Sequence, residues 1–161
     1  MRKITLIFSA LMLISIYSFS QIQEGDIKYF QDVFGMEKTA MVKQYMNLTP
    51  QQDSLFWKDY NAFEAARLEL GKRRIRLVEN YANSILTLSA DKATEMVNEE
   101  AAITTEFKKL QKTYYKKMSK TVGEVKAAQF YQFENYLNNV INLAIQENIP
   151  FVGELDLMFK K

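Results

Sequence analysis

The sequence predicts an all-α protein: an elongated antiparallel hairpin of two long helices with flanking helices, four in all, assembled as a homodimer. Three observations predict it. Only two prolines and five glycines punctuate 161 residues. Apolar residues recur along most of the chain at three- and four-residue steps, the spacing of one helix face. Two helix-start signals, at Thr49 and Ser89, bound a stretch with no stop signal until about Thr87.

Residues 1–20, MRKITLIFSALMLISIYSFS, read as a signal peptide. Arg2 and Lys3 supply the positive start, and Ile4 to Tyr17 is an apolar run too short for a membrane span. Ser18 and Ser20 put small residues ahead of a cut before Gln21. The expectation is an exported, periplasmic protein with no stable membrane insertion after cleavage. Residues 21–161 are then one all-helical domain. No cysteine is present, so there is no lipid attachment at the cleavage point and no disulfide framework.

Residues 21–25 form a polar lead-in ending at Gly25. A first helix is expected from Asp26 to about Met46, with Ile27, Phe30, Phe34, Met41 and Tyr45 inward and Gly35 as a weak point. The next boundary is the sharpest. In Leu48-Thr49-Pro50-Gln51-Gln52, Thr49 suits the N-cap, Pro50 the first helical position, and Gln52 the reciprocal bond of a capping box.

The helix that opens there carries Phe56, Tyr60, Phe63, Leu70, Leu77 and Tyr81 on one seam, interrupted by Arg67 and Arg74. Run to Leu86, it would be roughly 55 Å long at about 1.5 Å per residue. A compact domain of this size has a radius of gyration near ~14 Å, so the rod must project. Leu88-Ser89-Ala90-Asp91-Lys92 repeats the start signal with Ser89 as cap, although Lys92 cannot close a box. Its helix places Ala93, Met96, Ile103, Phe107, Leu110, Tyr114 and Met118 on one face.

Thr121-Val122-Gly123 interrupts. A last helix runs from about Glu124 to Glu147 with Val125, Ala128, Phe133, Leu137, Val140 and Ala144 inward, ended by Asn148 and Pro150. The tail PFVGELDLMFKK is apolar without a period. An apolar stripe left open along such a hairpin calls for a partner chain, hence the expected homodimer.

Residue chemistry speaks against an enzyme. With neither histidine nor cysteine, no Ser-His or Cys-His nucleophile exists. No glycine-rich phosphate loop is present. Glu99 and Glu100 are adjacent on a helix and point to different faces. Met36, Met41 and Met46 advance 500° with each five-residue step and so fan out rather than converge on a soft metal. No cofactor and no metal are expected. Lys and Arg total 21 against 19 Asp and Glu, and the surplus is Arg2 and Lys3, so nothing points to nucleic acid.

Charge is nevertheless segregated locally. Glu95, Glu99, Glu100 and Glu106 crowd the first half of the third helix. Lys108, Lys112, Lys116 and Lys120 form an i,i+4 stripe in its second half, beside Lys109 and Lys117. Lys72, Arg73, Arg74 and Arg76 sit mid-way along the preceding helix. In a hairpin turning near residue 88, both arms would carry positive charge at similar depth. Arg73, Arg76, Lys108, Lys112, Lys116 and Lys120, with Phe107, Tyr114 and Tyr115 exposed nearby, would hold acidic or amphipathic polypeptide. Arg67 and Arg74 are expected to pair with Glu99 or Glu106.

These motifs resemble the Spy/CpxP family of helical periplasmic proteins, whose signature is LTxxQ. Leu48, Thr49 and Gln52 match it; Leu88 and Ser89 begin a second, degenerate copy. The run MNLTPQQDSLFWKDY is similar to relatives bearing LTPEQ followed by FWxxY. The resemblance covers most of residues 40–150. It implies a cradle-shaped helical dimer and ATP-independent binding of unfolding proteins, or an accessory role in envelope-stress sensing. A structural protein packing its hairpin on one specific envelope protein is the alternative.

Overall fold

The computed structural model describes residues 24–153, with side chains placed for 35–147 and 149–153. The expected signal peptide, most of the lead-in and the end of the apolar tail lie outside the described residues, as do the side chains of Ile27, Phe30 and Phe34. Four helices follow in chain order: α1 (Glu24–Met46), α2 (Pro50–Ser84), α3 (Ala90–Thr121) and α4 (Glu124–Asn148). Among the described residues there is no strand, and the chain is all-α.

Each turn has a local cause. Asn47 takes φ 43°, a left-handed conformation that asparagine tolerates, and so reverses the chain after α1. Thr49 then caps α2: its hydroxyl accepts from Gln52 N, while Gln52 Oε1 accepts from Thr49 N at 3.1 Å. With 35 residues, α2 is about 52 Å long. A 3₁₀ turn, Ile85–Thr87, and extended Leu88 lead to Ser89, which accepts from Lys92 N at 3.2 Å and caps α3. Gly123 at φ 87° makes the last reversal.

Short turns force neighbours to run antiparallel. α2 packs along α3, α3 along α4, and α1 returns against both α4 and α2, closing a ring of four helices around the hairpin's first half. The core gathers Val42 and Met46 from α1, Phe56, Tyr60 and Phe63 from α2, Tyr114 and Met118 from α3, and Ala127 and Phe130 from α4. Phe130 stands edge-on to both Phe56 and Phe63, with centroids 5.6 and 5.3 Å away. Burying each such ring contributes roughly 1.5–3 kcal/mol. The aromatic part of the seam is thus covered by α1 and α4 of the same chain.

Two inward faces differ from the reading of the sequence. In α1 the buried side chains are Lys38, Val42 and Met46, whereas Met41 is half-buried and Tyr45 is exposed beside the Phe133 ring. In α4 they are Ala127, Phe130, Glu134 and Leu137, and Val125 is 81% exposed. The reason is the same in both helices. A buried charged residue occupies the inward row, and leaving it out shifts the apparent frame.

The two turns at the base are tied together. Gln52 Nε2 donates to Val122 O at 2.9 Å, Gln129 Nε2 donates to Tyr45 O at 3.0 Å, and Lys126 donates to Met46 O. At the opposite end, Tyr81 Oη donates to Pro150 O at 2.7 Å.

Candidate functional site

The second half of α3 carries the lysine row. Lys108, Lys112, Lys116 and Lys120 are all exposed, and the four-residue step keeps them in one line. Lys108 Nζ donates to Asn135 Oδ1 at 2.5 Å. Lys120 lies in the last turn of α3, where the helix dipole favours a cation. Lys117 holds its ammonium 4.6 Å from the Tyr114 ring centre. An open groove of about 510 Å³ runs between α2 and α3, and Lys109 is the α3 lysine in its lining, whereas Lys108 bonds toward α4. Ala66, Leu70 and Leu110 line it together with Arg73, Glu106 and Lys109. From Lys109, steps of four, three and four lead through Thr113 to Lys116 and Lys120.

The other residues picked from the sequence are dispersed. Arg73 donates to Glu99 Oε1 and Glu106 Oε2, each at 2.8 Å, and its hydrogen bonds hold the Glu99 carboxyl below the usual range. These are the partners the sequence offered to Arg67 and Arg74. The register instead turns Arg73 outward across the hairpin, with Arg67 and Arg74 turned to the interior. The basic middle of α2 therefore faces the acidic half of α3, so the two arms do not make one continuous positive patch. Arg76 is exposed.

Phe107 and Tyr114 are buried, at 6% and 9% exposure, and Tyr114 packs on Phe63. The expectation of exposed rings at these two positions is thus corrected: both share the inward row with Ile103 and Met118. Tyr115 is half-buried against Tyr131.

The signature residues serve as caps. Thr49 and Gln52 form the box, Leu48 packs partly buried against the core, and Ser89 caps α3 after half-buried Leu88. Glu100 accepts a hydrogen bond from Thr104, whereas Glu99 is held by Arg73 across the hairpin. Met36 is 68% exposed and Met46 buried, so these two methionines lie on different faces. Among the described residues no group of three or more acidic, histidine or cysteine side chains is placed to hold a metal, and no helix is long and apolar enough to cross a membrane.

A second cluster, inside the bundle, was not anticipated. Lys38 of α1 is 1% exposed, with its ammonium 2.5 Å from Glu64 Oε1 of α2 and 2.7 Å from Glu134 Oε1 of α4. Glu64 in turn accepts from Arg67 Nε at 3.0 and 3.1 Å. The Lys38 ammonium also lies 5.4 Å from the Phe63 ring centre. Burial lowers the Lys38 pKa and raises that of Glu134 despite the nearby ammonium. Burial acts on Glu64 too, but Lys38 and Arg67 outweigh it and hold that carboxyl below the usual range. Gln111 of α3 is 2% exposed, and its amide makes no hydrogen bond among the described residues.

Comparison with protein-family models, with curated proteins and with solved structures finds no match to this chain.

Proposed function

We propose that the chain is an exported, ATP-independent polypeptide-binding protein, chaperone-like or a stress adaptor, of the Spy/CpxP type. The observation that carries this reading is the exposed row Lys112, Lys116 and Lys120 on the same helix that lends Lys109 and Leu110 to a groove with Leu70 in its wall. Long-range attraction to lysines would gather acidic or amphipathic segments, and the apolar wall would retain them. The aromatic contribution falls to Tyr115, since Phe107 and Tyr114 belong to the core. Glu69 and Glu106 on the groove's edge would disfavour acidic stretches there, which assigns acidic segments to the lysine row and apolar ones to the groove.

The test is suppression of aggregation of a denatured protein at substoichiometric to equimolar ratios. Suppression should weaken at high salt and be lost when Lys112, Lys116 and Lys120 are reversed to glutamate. No suppression at any ratio overturns the reading. Export is checked separately, by whether the mature protein begins at Gln21.

The alternative, a structural partner of one envelope protein, draws support from Leu86, Phe151 and Val152, which are 72%, 74% and 69% exposed toward the hairpin tip. The same surface would serve the expected homodimer. A pull-down yielding one stoichiometric partner favours the alternative, and the mass in solution decides between one copy and two.

A further inference from the structure

A small cavity of about 30 Å³ lies inside the bundle, lined by Lys38, Arg67, Arg74, Glu134 and Asn138, with Phe107 among its apolar walls. Its charges do not cancel. Glu64 and Glu134, the carboxylates of the buried cluster, are matched by Lys38 and Arg67. Arg74 is the additional cation. Its Nη1 donates to Asn138 Oδ1 at 2.9 Å, a neutral partner, and among the described residues it makes no ion pair. Glu100 attracts it from a distance but is exposed and bonded to Thr104.

A guanidinium cannot shed its proton on leaving water, so the half-buried one of Arg74 is favoured by a counter-charge. Burial and the like charge of Arg67 both press on Arg74. With its Oδ1 turned to Arg74, the Asn138 amide keeps both N–H donors of its Nδ2 to offer, which also suits an anion. A cavity needs at least ~10–15 Å³ to admit a water, so this one has room for an ion little larger than water.

We propose that this cavity binds one small monovalent anion of chloride size, held by Arg74 with Asn138. The test is thermal unfolding of the full chain at fixed ionic strength, with chloride replacing the larger methanesulfonate. The midpoint should rise by a few degrees and saturate, as for a ligand bound only by the folded state. Arg74→Gln, which keeps a hydrogen-bonding head and removes the charge, should abolish that rise. Equal midpoints in the two salts overturn the proposal, as does a chloride effect that persists unchanged in the variant. A bromide-soaked crystal of the unsubstituted protein decides independently of whether Arg74→Gln folds. An anomalous peak beside Arg74 supports the site, and none at saturating bromide overturns it.

Discussion

Lys38 places its ammonium 2.7 Å from Glu134 Oε1, joining the first helix to the last across 96 positions of sequence. Glu64 grips the same ammonium from α2, so one lysine links three of the four helices. The arrangement is costly to assemble, because each charge leaves water, and worse to break, because the remainder is stranded.

Replacing Lys38 alone leaves Glu64 and Glu134 facing each other without their shared cation. Lys38→Met should therefore lower stability by about 3–5 kcal/mol, read as a lower urea midpoint. Adding Glu134→Gln, which leaves Glu64 paired with Arg67, should restore much of that loss. No restoration would mean that the lysine stem, rather than its charge, holds the site.

The two carboxyls on that ammonium should impose opposite pH trends. Glu64 is shifted below its ordinary 4.5, so its contribution is present above pH 4.5 and is lost as pH falls through the lower folded value. Glu134 is shifted upward, so its contribution is greatest below 4.5 and declines as pH rises through the folded value. Urea midpoints followed from about pH 3 to about pH 7 should show Glu64→Gln flattening the acid limb and Glu134→Gln removing the decline above it.

The two helix caps differ in what they satisfy. Thr49 and Gln52 exchange bonds reciprocally, whereas Ser89 makes a single bond to Lys92 N. Thr49→Ala should cost about 1–2 kcal/mol and Ser89→Ala about 0.5–1, measured by chemical denaturation.

Two glycines should respond to alanine with opposite signs. A Cβ meets nothing within 4 Å at either Gly35 or Gly123, so packing is not the issue. Gly35 is inside α1, where alanine should gain up to ~1 kcal/mol. Gly123 sits at φ 87°, where alanine should cost about 1–2 kcal/mol. Melting temperatures of the two variants, moving apart from the parent, check this.

Much of the fold was legible because its signals are local. Thr49, Pro50 and Gln52 announce a helix start within four residues, and Phe56, Tyr60 and Phe63 declare their face by spacing alone. The buried cluster is legible only in three dimensions. A lone lysine or glutamate in an apolar row ordinarily marks a solvated edge, and nothing near Lys38 in sequence reveals that Glu134 awaits it. Gln111 escaped notice for the same reason. The lysine row was found because four-residue spacing preserves a face whatever the register. The partners of Arg73 were misassigned to Arg67 and Arg74 because choosing among them requires the rotation of each arm of the hairpin.

The bonds from Gln52, Lys126 and Gln129 to carbonyls of the neighbouring turns clasp the molecule at one end like the spring of a clothes peg. Its jaws, around residues 85–89, lie farthest from that spring. Brief exposure to a protease should therefore nick the chain there first, leaving two fragments that stay together until denaturant releases the clasp.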